Sequence, residues 1–320
     1  MSEPLLQVKN VKTYFYTMRG VVKAVDDVSI EVNKGESLGL AGESGCGKST
    51  LAFTIIRLVP PPGRIAGGSM FFQGVDITKM SEEEFRKKIR WKGISMIFQG
   101  AMNALNPVYT VGDQLAEVLI LHKNYTKKEA LAEAAKLLQM VGIDPRRLKS
   151  YPFELSGGMK QRVVIAMALA LNPPLVIADE PTTALDVVVQ AQIMNLLKKL
   201  KRELGTSIIL ISHDLSLIAE LADKTAIMYA GKIVEYGLSD NVYKTPKHPY
   251  TQGLLGSIPR LRGEIRDLTW IPGIPPDLIK PPPGCRFHPR CKYATEKCKK
   301  QEPPIIEIEK GHYVACWLYA

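Results

Sequence analysis

Gly42-Glu-Ser-Gly-Cys-Gly-Lys-Ser49 constrains this chain more than any other stretch. It fits G-x-x-x-x-G-K-[ST], follows an apolar strand-like run (Ser37 to Leu40) and precedes a helix-like run (Leu51 to Leu58). A strand that feeds a glycine-rich turn and then a helix points successive backbone N–H groups, at the positive end of the helix, toward phosphate oxygens. Gly42, Ser44, Gly45 and Gly47 are therefore expected to cradle phosphate, with Thr50 in the same set. Lys48 adds a point charge and Ser49 a hydroxyl for Mg²⁺.

A companion motif lies downstream. Leu175-Val-Ile-Ala-Asp179-Glu180 is a buried-strand pattern that ends in two carboxylates. Asp179 is expected to hold Mg²⁺, directly or through water, and Glu180 to orient or deprotonate the water that attacks the γ-phosphate. Strand-like runs at Ile94 to Phe98 and Ile208 to Ile211 alternate with longer helix-like segments, which predicts an α/β sheet. Between Val111 and Leu148 charged residues interleave with Leu and Ala at helical spacing, so a helical insert is expected over about 100–165.

Leu155-Ser-Gly-Gly-Met-Lys-Gln-Arg162 opens another helical run, Met159 to Leu171. Ser156 can cap that helix, and its free N–H groups with Gly157 and Gly158 form a second anion site. Two anion-binding helix starts in one chain narrow the choice among phosphate-loop ATPases.

On these motifs residues 5 to about 240 resemble the ATP-binding-cassette family, whose signature Leu-Ser-Gly-Gly-x-x-x-Arg is matched at Leu155 to Arg162. The resemblance implies further roles. Gln99 looks like the glutamine that reaches Mg²⁺ and faces a membrane partner, Ala184-Leu-Asp186 like the D-loop, and His213 like the histidine that contacts the γ-phosphate. The family stacks adenine on an aromatic side chain near the N-terminus. Tyr14-Phe15-Tyr16 sits there, with Phe15 favoured and Tyr14 next.

The last quarter has a different character. Of 22 prolines 12 lie after residue 240, and residues 241–320 carry 13 Lys and Arg against 7 Asp and Glu, most of the net charge of +10. Prolines at this density exclude long helices and central strands, so a boundary is placed near residue 245. Cys285, Cys291, Cys298 and Cys316 fall in this segment. The N-terminus lacks the basic start and apolar stretch of a secretory signal, so a cytoplasmic chain is expected. Four clustered cysteines in such a chain point to one metal centre, either zinc or an iron–sulfur cluster.

Pro283-Gly-Cys-Arg-Phe-His-Pro-Arg-Cys, Cys298, Gly311 to Cys316 and Lys247-His-Pro-Tyr-Thr251 look like the C-terminal extension of oligopeptide and dipeptide importer ATPases. That resemblance implies a [4Fe-4S] cluster, with zinc as the alternative. Asp179 to Val187 with Met159 to Arg162 is closer to the D-type subunit than to the F-type.

The expected architecture is an α/β ATPase domain over 1–245, a mixed sheet with a helical subdomain, plus a small irregular Cys-containing extension over 246–320. The longest apolar run, Val163 to Leu171, falls short of the roughly 20 residues that span a bilayer. Transport therefore requires separate partners: two permeases, a second ATPase subunit of the F-type, and indirectly a solute-binding protein, with this chain peripheral on the cytoplasmic face. The rival expectation is a soluble cassette ATPase that uses its basic tail on nucleic acid or ribosomes.

Overall fold

The structure, a computed structural model, describes residues 3–100, 104–257 and 270–320. Positions 101–103 of the expected helical insert and 258–269 of the expected extension lie outside the described residues. The chain forms two compact units, Met1–Thr78 with Ile211–Ala320, and Lys79–Leu210.

The first unit begins with long strands β1 (Leu6–Thr17) and β2 (Gly20–Val32), then β3 (Ser37–Ala41), helix α1 (Lys48–Ile55), β4 (Gly63–Phe72) and β5 (Val75–Asp76). Four of these strands form an antiparallel sheet in the order β2-β1-β4-β5. Its buried face follows a two-residue period in β2, where Val28, Ile30 and Val32 are inside and Ser29 and Glu31 outside. β3 is buried at every position.

The second unit contains α2 (Glu82–Lys88), β6 (Ile94–Ile97), α3 (Val111–Lys123), α4 (Lys127–Met140), α5 (Gly157–Leu169), β7 (Leu175–Asp179), α6 (Val187–Leu204) and β8 (Ser207–Ile211). Its strands run β8-β7-β6, and β6 pairs parallel to β7 from Ile94↔Leu175 to Ile97↔Ala178. Helices α3 and α4 fall within the stretch expected as a helical insert. Thr110 caps the first and a Thr126–Glu129 capping box starts the second. Ile97, Ile165, Leu169, Val176, Leu197, Leu200 and Ile208 surround one small space between the strands and helices α5 and α6. Burying each such side chain contributes roughly 1.5–3 kcal/mol, which holds the two helices on this sheet.

The chain then returns to the first unit with α7 (Leu215–Leu221), β9 (Lys224–Tyr229), β10 (Lys232–Leu238), α8 (Ser239–Lys244), α9 (Pro249–Gly256), α10 (Glu296–Lys300), β11 (Ile306–Glu309) and β12 (His312–Val314). β9 pairs parallel to β3, and strand order in this unit is β11-β12-β10-β9-β3. The proline-rich end of the chain thus contributes two strands to the layer that carries the phosphate loop.

One buried histidine fixes the start of α9. His248 accepts the Tyr250 N–H on Nδ1 at 3.0 Å, and its backbone N–H donates to the buried Glu235 carboxylate at 2.9 Å. Burial pushes its pKa from 6.5 down to about 3. Between these values the unfolded chain holds the proton and the folded chain does not, so stability falls as pH drops below 6.5. One such group contributes a slope of about 1.4 kcal/mol per pH unit. Urea unfolding between pH 6.5 and 5 should show about 2 kcal/mol lost from this source, and His248→Asn should remove that part of the slope. Equal slopes in the two proteins would rule out the assignment.

Candidate functional site

In the first unit the phosphate loop runs from the end of β3 into α1, with Gly47 as its N-cap. Two glycines are obligatory. Gly42 has φ +148° and Gly47 φ +108°, and a Cβ would meet the Met228 carbonyl oxygen at 2.1 Å at the first and the Ala24 carbonyl oxygen at 2.1 Å at the second. Lys48 is buried and curls over the loop, donating from Nζ to the carbonyls of Gly42 at 2.7 Å and Glu43 at 3.0 Å. Cys46 lies beneath it, with burial pushing its thiol pKa up. Ser44, Gly45, Ser49 and Thr50 occupy the same turn and first helical turn.

The aromatic triplet lies on β1. Tyr14 donates its hydroxyl to Asp26 at 2.5 Å, so its ring is committed. Burial opposes ionisation of Asp26, but the Tyr14 hydroxyl and the Arg286 guanidinium hold its carboxyl below the ordinary range. Phe15 is half-buried with its ring over the backbone of Gly63, and Tyr16 is exposed. Thr13, on the same side of the strand as Phe15, meets Thr54 of α1 at 2.7 Å between hydroxyls. His213 is exposed in the turn after β8. The preceding Ser212 N–H donates to the Leu40 carbonyl of β3 at 3.4 Å.

In the second unit the acid pair closes β7. Asp179 is buried, while Glu180 turns into left-handed backbone at φ +46°, a conformation that costs a non-glycine residue of order 1 kcal/mol. Its carboxylate oxygen Oε2 accepts from Gln99 Nε2 at 3.0 Å and from Thr183 Oγ1 at 2.9 Å. Two residues singled out separately in the sequence, Gln99 and Glu180, are therefore in contact. Thr183 was missed, although its position three residues after Glu180 in the turn is visible in the sequence.

The signature stands at the start of α5. Ser156 caps it, accepting the Met159 N–H at 3.3 Å, and is exposed along with half-exposed Gly157 and Gly158. Gly158 packs against Val189 in the first turn of α6. Asp186 caps α6 by accepting the Val189 N–H at 2.9 Å, and Ala184 before it is left-handed at φ +64°. Arg162 anchors α5 by donating to the Val141 carbonyl at 2.8 Å and to Gln192.

The metal centre expected at Cys285, Cys291, Cys298 and Cys316 is corrected by the structure. The four line one narrow cavity of about 90 Å³ with Phe287, Trp317 and Leu318. Among the described residues, however, no group of three or more His, Cys, Asp or Glu side chains is disposed to hold a metal ion. All four are free thiols. Burial pushes Cys285 up to about 11 and raises Cys291 and Cys316 as well. The Phe287 and Trp317 rings line the same cavity, a setting in which a thiol packs as a small apolar group. The iron–sulfur cluster and its zinc alternative are therefore withdrawn.

The family profile "ABC transporter" matches residues 25–183, and "Oligopeptide/dipeptide transporter, C-terminal region" matches residues 234–298. The chain is 49% identical to the dipeptide transport ATP-binding protein DppD of Bacillus subtilis, over 99% of this chain and 95% of that one. It is 50% identical to the oligopeptide transport ATP-binding protein OppD of Escherichia coli, over 99% and 94%. A dimeric ATP-binding cassette in a post-hydrolysis state with ADP and Pi bound superposes with a TM-score of 0.66 at 30% identity, covering 73% of this chain and 98% of that one. Among the described residues no helix is long and apolar enough to cross a membrane. The chain has the α/β phosphate-loop ATPase fold and belongs to the ABC transporter family of ATP-hydrolysing subunits, in its branch of oligopeptide and dipeptide transport ATP-binding proteins.

Proposed function

We propose that this chain is one motor of an importer for oligopeptides, dipeptides or similar small solutes, seated on the cytoplasmic face of the membrane. It works with two permeases, a second cassette of the F-type and, indirectly, a solute-binding protein outside the membrane. The observation that carries this reading is near full-length similarity to peptide transport ATP-binding proteins, including the region 234–298. That similarity also favours import over an ATPase acting on nucleic acid or ribosomes. Residues 1–245 are read as the ATPase part and 246–320 as the importer-type appendage.

In this mechanism Phe15 stacks on adenine, a role supported by its strand face, which it shares with Thr13 beside α1. Backbone N–H groups of Gly42, Ser44, Gly45, Gly47 and Thr50 receive phosphate oxygens, and Lys48 neutralises their charge. Ser49 presents a hydroxyl, Gln99 an amide and Asp179 a carboxylate oxygen, each a donor of the kind Mg²⁺ prefers, and Mg²⁺ when bound would neutralise the triphosphate. Glu180 accepts the proton of the attacking water, with Gln99 and Thr183 fixing its carboxylate, and His213 contacts the γ-phosphate.

Two cassettes pair head to tail. This chain's Ser156, Gly157 and Gly158 face the nucleotide held by the other cassette, so closure draws its energy from contacts made only with ATP bound. The similar dimeric cassette supports such pairing.

Uptake of labelled peptides in cells lacking this chain tests the assignment. Peptide uptake should be lost and should return with the wild-type chain but not with Glu180→Gln. Normal peptide uptake in the deletion, with nickel or oligosaccharide uptake lost instead, would reject the peptide cargo.

A further inference from the structure

The phosphate loop is gripped by residues about 200 to 250 positions away in the chain. Glu43, the second residue of the loop, receives a two-pronged contact from Arg290. Nη1 donates to Oε2 at 2.6 Å and Nη2 to Oε1 at 2.9 Å. The Arg290 side chain is only 5% exposed. Its Nε donates to the Pro272 carbonyl at 2.8 Å, and its guanidinium lies 5.8 Å from the Tyr229 ring centre. The Glu43 backbone N–H donates to the hydroxyl of Tyr250 at 2.8 Å. Tyr250 is itself fully buried, 4.6 Å from Tyr229 and 5.4 Å from Phe287 between ring centres.

Main chain and side chain of one loop residue are thus both fixed, and the carbonyl of that residue accepts from Lys48 Nζ. Arg290 and Tyr250 stand one contact from Glu43, and Glu43 one contact from the phosphate-binding lysine.

A glycine-rich loop is costly to order at the moment a ligand binds, because its residues have the most backbone freedom to lose. Exposed ion pairs contribute little against such a cost, but a forked guanidinium–carboxylate contact with a buried arginine is directional and stronger. The same segment also holds the strand after the aromatic triplet. Arg286 pairs with Asp26, and the Lys23 N–H donates to the Leu278 carbonyl at 3.0 Å.

We propose that Arg290 and Tyr250 are positioning residues for ATP hydrolysis, preorganising the phosphate loop through Glu43. The C-terminal region is on this view a brace for nucleotide binding, and the inference rests on reading that loop as the ATP site. Lysine cannot replace Arg290 here because a point charge cannot reproduce the fork.

Glu43→Gln, Arg290→Met, Arg290→Lys and the Glu43→Gln/Arg290→Met double variant test this in the assembled transporter, with thermal unfolding of each recorded as the check on folding. Glu43→Gln and Arg290→Met should each raise the KM for ATP about tenfold, the size of one lost charge-assisted contact, and change kcat by no more than about twofold. The double variant should be no worse than the worse single variant, since both break the same link, and Arg290→Lys should recover only part of the loss. Additive effects in the double variant, or a wild-type KM in Glu43→Gln, would overturn the proposal, and Glu43→Gln remains informative if Arg290→Met does not fold. Lys48→Ala separates the two readings. If it binds ATP like wild type, the loop assignment itself fails. If it loses ATP while Glu43→Gln retains wild-type affinity, only the brace fails.

Discussion

Glu180→Gln should bind ATP as tightly as the wild type and hydrolyse it about 10²–10³-fold more slowly, the usual contribution of a positioned general base. The substitution keeps the shape of the side chain and its ability to accept from Gln99 and Thr183, so the turn after β7 has no reason to rearrange. What disappears is the negative charge and the basicity that accept a proton as water attacks. The left-handed backbone at Glu180 supports this specificity, since strain of that kind persists only where the surroundings hold a side chain to one direction. Single-turnover measurements with labelled ATP separate binding from cleavage. Wild-type turnover in the variant would exclude Glu180 as the base, whereas a parallel loss of binding would show that the carboxylate acts on the ground state.

The motifs read from the sequence are all local. The phosphate loop, the acid pair and the signature each consist of neighbours in the chain, and each stands where its flanking strand or helix was expected. The strands β3, β6, β7 and β8 were visible because they are buried on both faces and read as short apolar runs. The β1-β2-β4 sheet was less visible. In β1 and β2 charged residues such as Lys9, Lys12, Lys23 and Glu31 break up the apolar positions, and bulges shift the register between Val8 and Phe15. Arg290 and Glu43 are 247 residues apart, and no pattern of period 2 or 3.6 reports such a pair. The cysteine reading erred for a related reason: spacing shows that four thiols can meet, but whether they meet as ligands or as apolar packing depends on a side-chain geometry that only the fold sets.

Lys48→Ala should reduce ATP affinity about a hundredfold and reduce hydrolysis at subsaturating ATP by at least as much, because a charge-assisted contact to the triphosphate is lost rather than weakened. Lys48 is largely buried and held by the Gly42 and Glu43 carbonyls, so its ammonium stands where the loop closes on itself. Alanine there takes one donor from each carbonyl, leaving that of Glu43 only the Cys46 N–H at 3.3 Å, and the loop relaxes as well as losing charge. Arginine restores the charge but not the compact geometry, so Lys48→Arg should recover little. Titration with a fluorescent ATP analogue resolves the two contributions through salt dependence. The wild-type affinity should fall as ionic strength rises, and the Lys48→Ala affinity should fall less steeply, since one of the cations facing the phosphates is gone. Equal salt slopes in the two proteins would mean that Lys48 acts by holding the loop and not by meeting the phosphates.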